Sequence, residues 1–545
     1  MNLSDTAGHA SIVKWTGTFL FLIGTVCLLL VLILLNTAER MAYREPPALD
    51  YLPGLEVEVE VVRDGSGTWH ILGENWEDVL RAQGWMHAQE RMWQMELGRL
   101  AGRGRLSELF GALALPADRV MRTLGLDRAA EKQVVGLPQD VRERLQAYAD
   151  GVSAWLASDS CRLPLELVLL GWEPEPWSLE DSAIQIGLMG LTLSSNWAQE
   201  AVRASLEARF STKDVALLMP DFDKEAFIAA TSTLEEIDRG NARPDIHAAW
   251  KQWALLAGGI SSLREFLGLP TGGVGSNAWA VSGDRTRSGK PLLANDPHLG
   301  VQIPSLWIAE GLHIPGRDLV GVSLPGLPSV IIGRTNAFAW GFTNTMADNQ
   351  DLYIERPVED DPDSYWFMDR QIPYEVRREI IQVRRAEPET LTVRSTLHGP
   401  VINNVLTRML HGTEEVVDVI EGGGSGVSDQ ANSQNVDDWV EVSPPITLRW
   451  VTLEGGGELI SLARILEARD WHDIRELFTT FLSPGQNVIY ADTTGSIAWQ
   501  FTGAIPVRHG WDGSLPVPGW TGQYEWDGYV PFDDLPRAED PDSGL

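Results

Sequence analysis

The sequence predicts a chain of mixed α and β class, with helix gathered in its first half and strand in its second. Three observations carry this. Glu77–Arg99, Ala129–Leu156 and Glu180–Phe210 are long stretches rich in helix formers. From residue 276 onward the pattern changes to short apolar runs separated by Gly, Pro, Asn and Asp. Between the two regimes, Pro270-Thr271-Gly272-Gly273-Val274-Gly275 ends a helical stretch over Ile246–Leu267.

Taken in order, the chain opens on Thr16–Leu35, an uncharged apolar run of 20 residues preceded by Lys14. A bilayer core takes roughly 20 residues, whereas the apolar part of a cleavable signal is about 7–15. Residues 1–35 therefore read as a membrane anchor or signal segment, with length favouring the anchor. Lys14 on one side and Arg40 and Arg44 on the other leave the orientation open. Residues 36–54, with Pro46, Pro47 and Pro53, read as a linker. Val57, Val59 and Val61 alternate with charged residues, which predicts a strand over 56–62. Residues 55–235 are otherwise mostly helical, although Gly84 interrupts the first long helix and Gly98 falls near its end. Residues 236–275 form a separate spacer. Strands follow at 291–294, 329–332, 338–342, 391–394, 446–453 and 488–491. Gly412–Asp438 is acidic, rich in Gly and Ser, and free of Lys and Arg, as expected of a surface insertion. No internal repeat is present.

Composition narrows the function classes. The chain has 545 residues, 44% of them hydrophobic and 22% charged, which is ordinary for a large globular core. Its net charge of −33 repels phosphate backbones, so nucleic acid is excluded as a partner. The 22 Trp residues point to an aromatic-rich core or clefts. Cys27 lies in the apolar run and Cys161 far outside it, which speaks against a disulfide. Zinc motifs of the Cys-x-x-Cys and His-Glu-x-x-His kinds are absent. Gly283–Lys290 is no nucleotide loop, since five residues separate its glycines and Pro291 stands where Ser or Thr is needed. There is no Gly-x-Ser-x-Gly elbow.

The most informative run is Gly275-Ser276-Asn277-Ala278-Trp279-Ala280-Val281, followed by Asn295-Asp296-Pro297-His298-Leu299. It places a small nucleophile after a Gly-Gly-Val-Gly hinge, at the start of a strand-like stretch. If the Gly275–Ser276 bond is cut, Ser276 carries a hydroxyl and a free α-amine together. That amine, with an ordinary pKa of about 7.7–8.0, is a suitable general base for the hydroxyl beside it. Asn277 follows the nucleophile, where it either orients it or caps the strand.

These residues resemble the penicillin acylase family of N-terminal serine nucleophile hydrolases. The resemblance runs over about residues 55–545, in six ordered blocks. Besides the run just quoted they are Arg63–Ile71, Gly84–Arg91 through Gly102–Leu106, Gly326-Leu327-Pro328 through Trp340–Asn344, Asp348–Tyr353, and Gln486-Asn487 through Asp492.

The resemblance implies an α+β fold of four αββα layers, in which the spacer 236–275 is removed. It implies a heterodimer of two fragments of one precursor, exported to the periplasm or the outer face of the membrane. Ser276 would be the nucleophile, and the backbone N–H of Asn344 one oxyanion donor. The second donor, an asparagine side chain, would belong to a segment after residue 545, so 276–545 reads as an incomplete, C-terminally truncated part of the nucleophile-bearing fragment. His298 stands where members carry Gln or His; the His form is typical of cephalosporin and acyl-homoserine-lactone acylases. An imidazole there would bond the Ser276 amine or hydroxyl.

One structural calcium ion is implied, held by Glu200, Asp348, Asp351, and the carbonyls of Gln350 and Pro484. Leu299, Ile332 and Phe342 match acyl-pocket positions, and the first two are aliphatic. The implied reaction is hydrolysis of a linear acyl-amide, with acyl-homoserine lactones or β-lactam side chains as candidate substrates. The competing reading is a non-catalytic or unprocessed membrane-attached binding protein that keeps the fold.

Overall fold

In the first half, the helices follow the sequence pattern but are shorter and more numerous than expected. The computed structural model describes residues 22–33, 51–194, 196–207, 209–219, 275–403 and 444–545. Most of the 36–54 linker, nearly all of the spacer and the whole 412–438 insertion lie outside the described residues. So does part of the apolar run Thr16–Leu35. Its residues 22–33 are helical and exposed, and among the described residues no helix is long and apolar enough to cross a membrane.

Helix α1 (Trp76–Gly102) starts where Asn75 accepts a hydrogen bond from the Asp78 N–H, with Glu77 and Asp78 in the first turn. It departs from helical geometry at Arg91 (φ −138°, ψ 19°). The expected helix over 129–156 is two, α2 (Leu126–Val135) and α3 (Gln139–Ala157), separated at Gly136-Leu137-Pro138. The expected helix over 180–210 is also two. Helix α4 (Leu179–Leu193) opens on a Ser178–Asp181 capping box, and its C-cap Ser194 turns extended (φ −109°, ψ 128°) before α5 (Asn196–Glu207). Gly84 is a contact point rather than an interruption. A Cβ there would lie 2.1 Å from the Tyr148 carbonyl oxygen, and one on Gly151 would lie 1.9 Å from that of Arg81. The two glycines let the α1 and α3 backbones cross in contact.

A nine-stranded sheet lies beside these helices. It comprises β1 (Glu60–Arg63), β2 (Trp69–Leu72), β5 (Ile308–Ile314), β6 (Arg317–Ser323), β7 (Ile332–Arg334), β8 (Phe338–Asn344), β11 (Gln486–Asp492), β12 (Ile497–Thr502) and β13 (Arg537–Glu539), in that spatial order. The hairpin β3 (Gly275–Val281) and β4 (Leu292–His298) stands apart as its own two-stranded ladder, packed against β8 and β11. Strands β9 (Gln350–Ile354) and β10 (Ile446–Trp450) form a further pair.

The expected strand over 56–62 is shorter at its start, because the Glu56 and Val57 N–H groups donate to the buried Asp78 carboxylate at 2.9 and 3.0 Å instead of to a neighbouring strand. The expected strand over 446–453 ends at Trp450 and passes into a 3₁₀ turn over Val451–Glu454. The expected 329–332 strand forms only at Ile332–Arg334.

One core joins both halves of the chain. Val79, Trp85, Tyr148 and Ile184 from the helices pack with Leu312, Trp340, Val488 and Tyr490 from the sheet. The backbone is shared too: β2 pairs in parallel with β5, Trp69 opposite Glu310 and Leu72 opposite His313. A cut at residue 275 would leave two fragments locked in one sheet.

Candidate active site

Strand β8 is paired with β11 along its whole length, from Phe338–Asp492 to Asn344–Gln486. On its other edge β7 pairs only with Ala339 and Trp340. Beyond that point the free edge of β8 faces the β3–β4 hairpin. Asn295, on β4, fills the gap. Its Oδ1 accepts the Phe342 N–H at 3.0 Å, and its Nδ2 donates to the Phe342 carbonyl at 2.9 Å and to that of Asn277 at 3.1 Å. Gly341 leaves the room: a Cβ there would sit 2.8 Å from the Asn295 side chain. Two residues further on, the next N–H on this edge, that of Asn344, donates to Ser276 Oγ at 3.3 Å. Asn344 is itself held on three sides. Its Nδ2 donates to the Leu193 carbonyl at 2.8 Å, its Oδ1 accepts the Met346 N–H, and its carbonyl accepts from Asn487 Nδ2.

Ser276 and Asn344 line a cavity of about 280 Å³. The three expected acyl-pocket residues, Leu299, Ile332 and Phe342, line it as well. Sequence reasoning missed most of the remaining wall. Ile186, Met189 and Leu193 follow helical spacing on one face of α4, a signal that was available. Phe478 and Phe481 also line it, and Phe478 packs edge-on against Phe342 with ring centres 5.6 Å apart. Nothing in the local sequence marks those two. In the sequence Asn295 stands out only as part of a motif.

His298 is not brought to the Ser276 hydroxyl. Register explains why: β3 and β4 pair Gly275 with His298 and Ser276 with Pro297, so the imidazole falls on the face of residue 275. Its Nε2 is 2.8 Å from Asp296 Oδ2, and its Nδ1 would lie 3.7 Å from a Cβ on Gly275. The ring therefore flanks the residue just upstream of the Gly275–Ser276 bond.

Glu200, Asp348, Gln350 and Asp351 do come together where α5 meets β9. Glu200 Oε2 accepts the Leu352 N–H at 3.1 Å, and Gln350 Oε1 accepts that of Trp197 at 3.4 Å. Arg508 donates to Asp351 Oδ2 at 2.8 Å and lies 3.2 Å from Asp348 Oδ1. Burial raises the carboxyls of Glu200, Asp348 and Asp351 above the ordinary range, and Asp351 and Asp348 raise Glu200 further, while Arg508 opposes the shift in all three. Glu200 Oε1, Asp348 Oδ1, Asn349 Oδ1 and Asp351 Oδ1 are buried without a hydrogen-bond partner. Fully ionised, three carboxylates against one guanidinium would leave two negative charges to neutralise, and these four orphaned atoms are oxygens, the donor type a hard divalent cation takes, although Gln350 Nε2 is buried without a partner as well. Among the described residues, however, no three His, Cys, Asp or Glu side chains are gathered closely enough to hold an ion as they stand. Pro484 lines the cavity beside Ser276, and its carbonyl accepts from Gln486 Nε2 at 3.3 Å.

Residues 58–545 match the family described as penicillin amidase. The acyl-homoserine lactone acylase QuiP of Pseudomonas aeruginosa is 32% identical over 511 residues, covering 93% of this chain and 56% of that protein. The penicillin acylase 2 proenzyme of Pseudomonas sp. strain SE83 is 31% identical over 507 residues, covering 91% and 58%. Penicillin G acylase of Escherichia coli is 25% identical, covering 93% and 60%. The chain thus spans a little over half the length of these curated relatives. The solved thermostable penicillin G acylase from Alcaligenes faecalis, in its orthorhombic form, is 26% identical over 49% of this chain and 42% of that one, with a TM-score of 0.39.

Proposed function

The chain belongs to the penicillin amidase family, and on that footing we propose that it is the precursor of an amidohydrolase that cleaves a linear acyl-amide through an acyl-enzyme on Ser276. The observation that carries this reading is the Asn344 N–H aimed at Ser276 Oγ at the wall of an apolar cavity. A nucleophile, an oxyanion donor and an acyl pocket converge there.

The first turnover is on the chain itself. Ser276 Oγ attacks the Gly275 carbonyl carbon, its proton passes to the Ser276 nitrogen as the Gly275–Ser276 C–N bond breaks, and the acyl group moves from nitrogen to oxygen. Water then hydrolyses the ester, giving a Gly275 carboxylate and a free Ser276 amine. His298, beside Gly275 and 2.8 Å from Asp296, would assist this cleavage from the Gly275 side rather than take the Ser276 hydroxyl proton.

In substrate turnover the amine takes the hydroxyl proton as Oγ attacks the substrate carbonyl. The Asn344 N–H donates to the oxyanion that forms. Collapse of the intermediate expels the amine product with the proton, and water releases the acid. The cavity wall, with Leu299, Ile332 and Leu327 beside Phe342 and Phe478, suits an aliphatic acyl group, as in acyl-homoserine lactones.

The wider reading follows the family. The sheet and the β3–β4 hairpin packed on it belong to a four-layer αββα arrangement, and the two fragments remain a heterodimer through the β2–β5 pairing. The run 16–35 directs the protein to the extracytoplasmic side of the membrane as signal or anchor. Glu200, Asp348, Asp351 and the Gln350 carbonyl would hold a calcium ion, supplying charge neutralisation and no chemistry. Mass spectrometry of the products from a panel of acyl-amides tests the function. Release of a free acid and a free amine by the wild type and not by Ser276→Ala is expected; equal release by both would refute it.

A further inference from the structure

Among the described residues that line the cavity beside Ser276, Glu458 is the only carboxylic acid and the only acidic or basic side chain. It opens the short helix Glu458–Arg464, directly after Gly455-Gly456-Gly457, and is 1% exposed. A Cβ on Gly456 would lie 2.4 Å from Glu458 Oε1, so the bare glycine makes room for the carboxyl. Oε1 accepts the Leu482 and Ser483 N–H groups, each at 2.9 Å. Oε2 is buried and has no hydrogen-bond partner in the protein. We propose that Glu458 is a specificity-determining residue that selects a hydroxylated acyl group: its Oε2 pairs with a hydroxyl at one fixed position along a chain whose carbonyl end sits at Ser276. This rests on the acylase reading above and adds a polar requirement to an otherwise apolar wall.

Holding the 482–484 segment, whose Pro484 also lines the cavity, uses only Oε1. That task leaves the second oxygen over, and a buried oxygen without a partner is costly. Among the described residues of this wall, Oε2 is the one side-chain atom that is both buried and unpartnered. The neighbouring polar groups are committed elsewhere. Asn344 Nδ2 donates to the Leu193 carbonyl and its Oδ1 accepts the Met346 N–H, while Gln486 Nε2 donates to the Gly485 carbonyl. Burial pushes the Glu458 carboxyl above its ordinary range, and the backbone N–H groups favour its charge. A hydroxyl suits either state, because it accepts from a protonated Oε2 and donates to an ionised one. A ligand ammonium would need the ionised form, and a ligand carbonyl the protonated one. Elsewhere in the cavity a hydroxyl would face Leu462, Phe478 or Phe481 and lose its water without compensation.

The test is binding of octanoate and its monohydroxy derivatives to the full chain, read by calorimetry, with the hydroxyl moved one carbon at a time in both configurations. One position should bind at least about fivefold more tightly than octanoate itself, and positions away from it more weakly than octanoate. Glu458→Gln keeps an oxygen for the Leu482 and Ser483 N–H groups and a hydrogen-bonding group in place of Oε2, so the preferred position should survive it. Glu458→Met should abolish the preference while octanoate still binds. A strut for the 482–484 segment alone would give no preferred position in the wild type. That result, or a preference that survives Glu458→Met, would overturn the proposal. If Glu458→Met does not fold, the wild-type series decides by itself. Binding needs no turnover, so the two readings separate. A preferred position in a protein that hydrolyses no acyl-amide would refute the acylase reading and leave the role of Glu458 standing. Hydrolysis without a preferred position would do the reverse.

Discussion

Asn295 and Phe342 share a two-point hydrogen bond, side-chain amide to backbone N–H and C=O, and this contact sets the distance between Ser276 and the Asn344 N–H. Asn295 does for the free edge of β8 what a neighbouring strand would do. Ser276 and the Asn344 N–H lie on different ladders, and the Asn295 side chain bridges the two directly.

Replacing Asn295 should therefore impair chemistry and stability together. Asn295→Leu leaves a part-buried N–H and C=O unpaired, at a cost of about 1–3 kcal/mol. Self-cleavage should slow by about tenfold or more, since one misplaced ångström is expensive in a reaction set by orientation. Gly341→Ala should act in the same direction, by pushing Asn295 away. Fragment appearance over time, with urea unfolding alongside, checks both; a variant that is destabilised but cleaves at the wild-type rate would show that Asn295 is structural only.

Much of this site is legible in the sequence, and what is not has identifiable causes. Ser276, Asn344, Leu299, Ile332 and Phe342 are found by motif order and do meet at one cavity. His298 is found too, but which face it occupies depends on a one-residue register that composition does not encode. The break at Ser194 has no Gly or Pro to announce it. Phe478 and Phe481 reach the cavity from a segment without a motif. The parallel β2–β5 pairing joins strands from opposite halves of the chain, and local pattern cannot see it.

The crossing of α1 and α3 leaves no room for an added side chain. A methyl on Gly84 or Gly151 would meet a backbone oxygen at 2.1 or 1.9 Å, and backbone cannot rotate aside as a side chain does. Gly84→Ala and Gly151→Ala should each destabilise by about 1–3 kcal/mol or more. Chemical denaturation measures this, and a loss within a few tenths would mean the helices can part freely.

His398 gives the stability a pH dependence. The ring is buried, stacks on Tyr353 with centres 3.9 Å apart, and lies 2.7 Å from Glu355 and 2.8 Å from Glu525. Burial opposes its charge, but the hydrogen bonds to the two carboxylates outweigh that and hold its pKa above 6.5. The sign follows from linkage. Stabilisation by the imidazolium is complete below the unfolded pKa and is lost as pH rises through the folded one. The melting temperature of the wild type should exceed that of His398→Gln most below about pH 6.5, with the gap narrowing as pH rises. A gap that widens with pH would reverse the assignment.

Calcium should stabilise the protein through Glu200, Asp348 and Asp351. Adding it at about a hundred times its dissociation constant is worth about 2.7 kcal/mol. The melting temperature should rise with calcium in the wild type and much less in Asp351→Asn. Equal rises, or none, would leave Arg508 and protons as the only counter-charges.

The bond between Gly275 and Ser276 is the first one the proposed chemistry breaks. N-terminal sequencing of the fragments from purified wild type and Ser276→Ala tests it directly. The wild type should yield a downstream fragment beginning Ser-Asn-Ala-Trp, and Ser276→Ala a single uncut chain. A wild-type fragment beginning at any other residue, or a Ser276→Ala protein cut at the same bond, would contradict the assignment of Ser276 as the nucleophile.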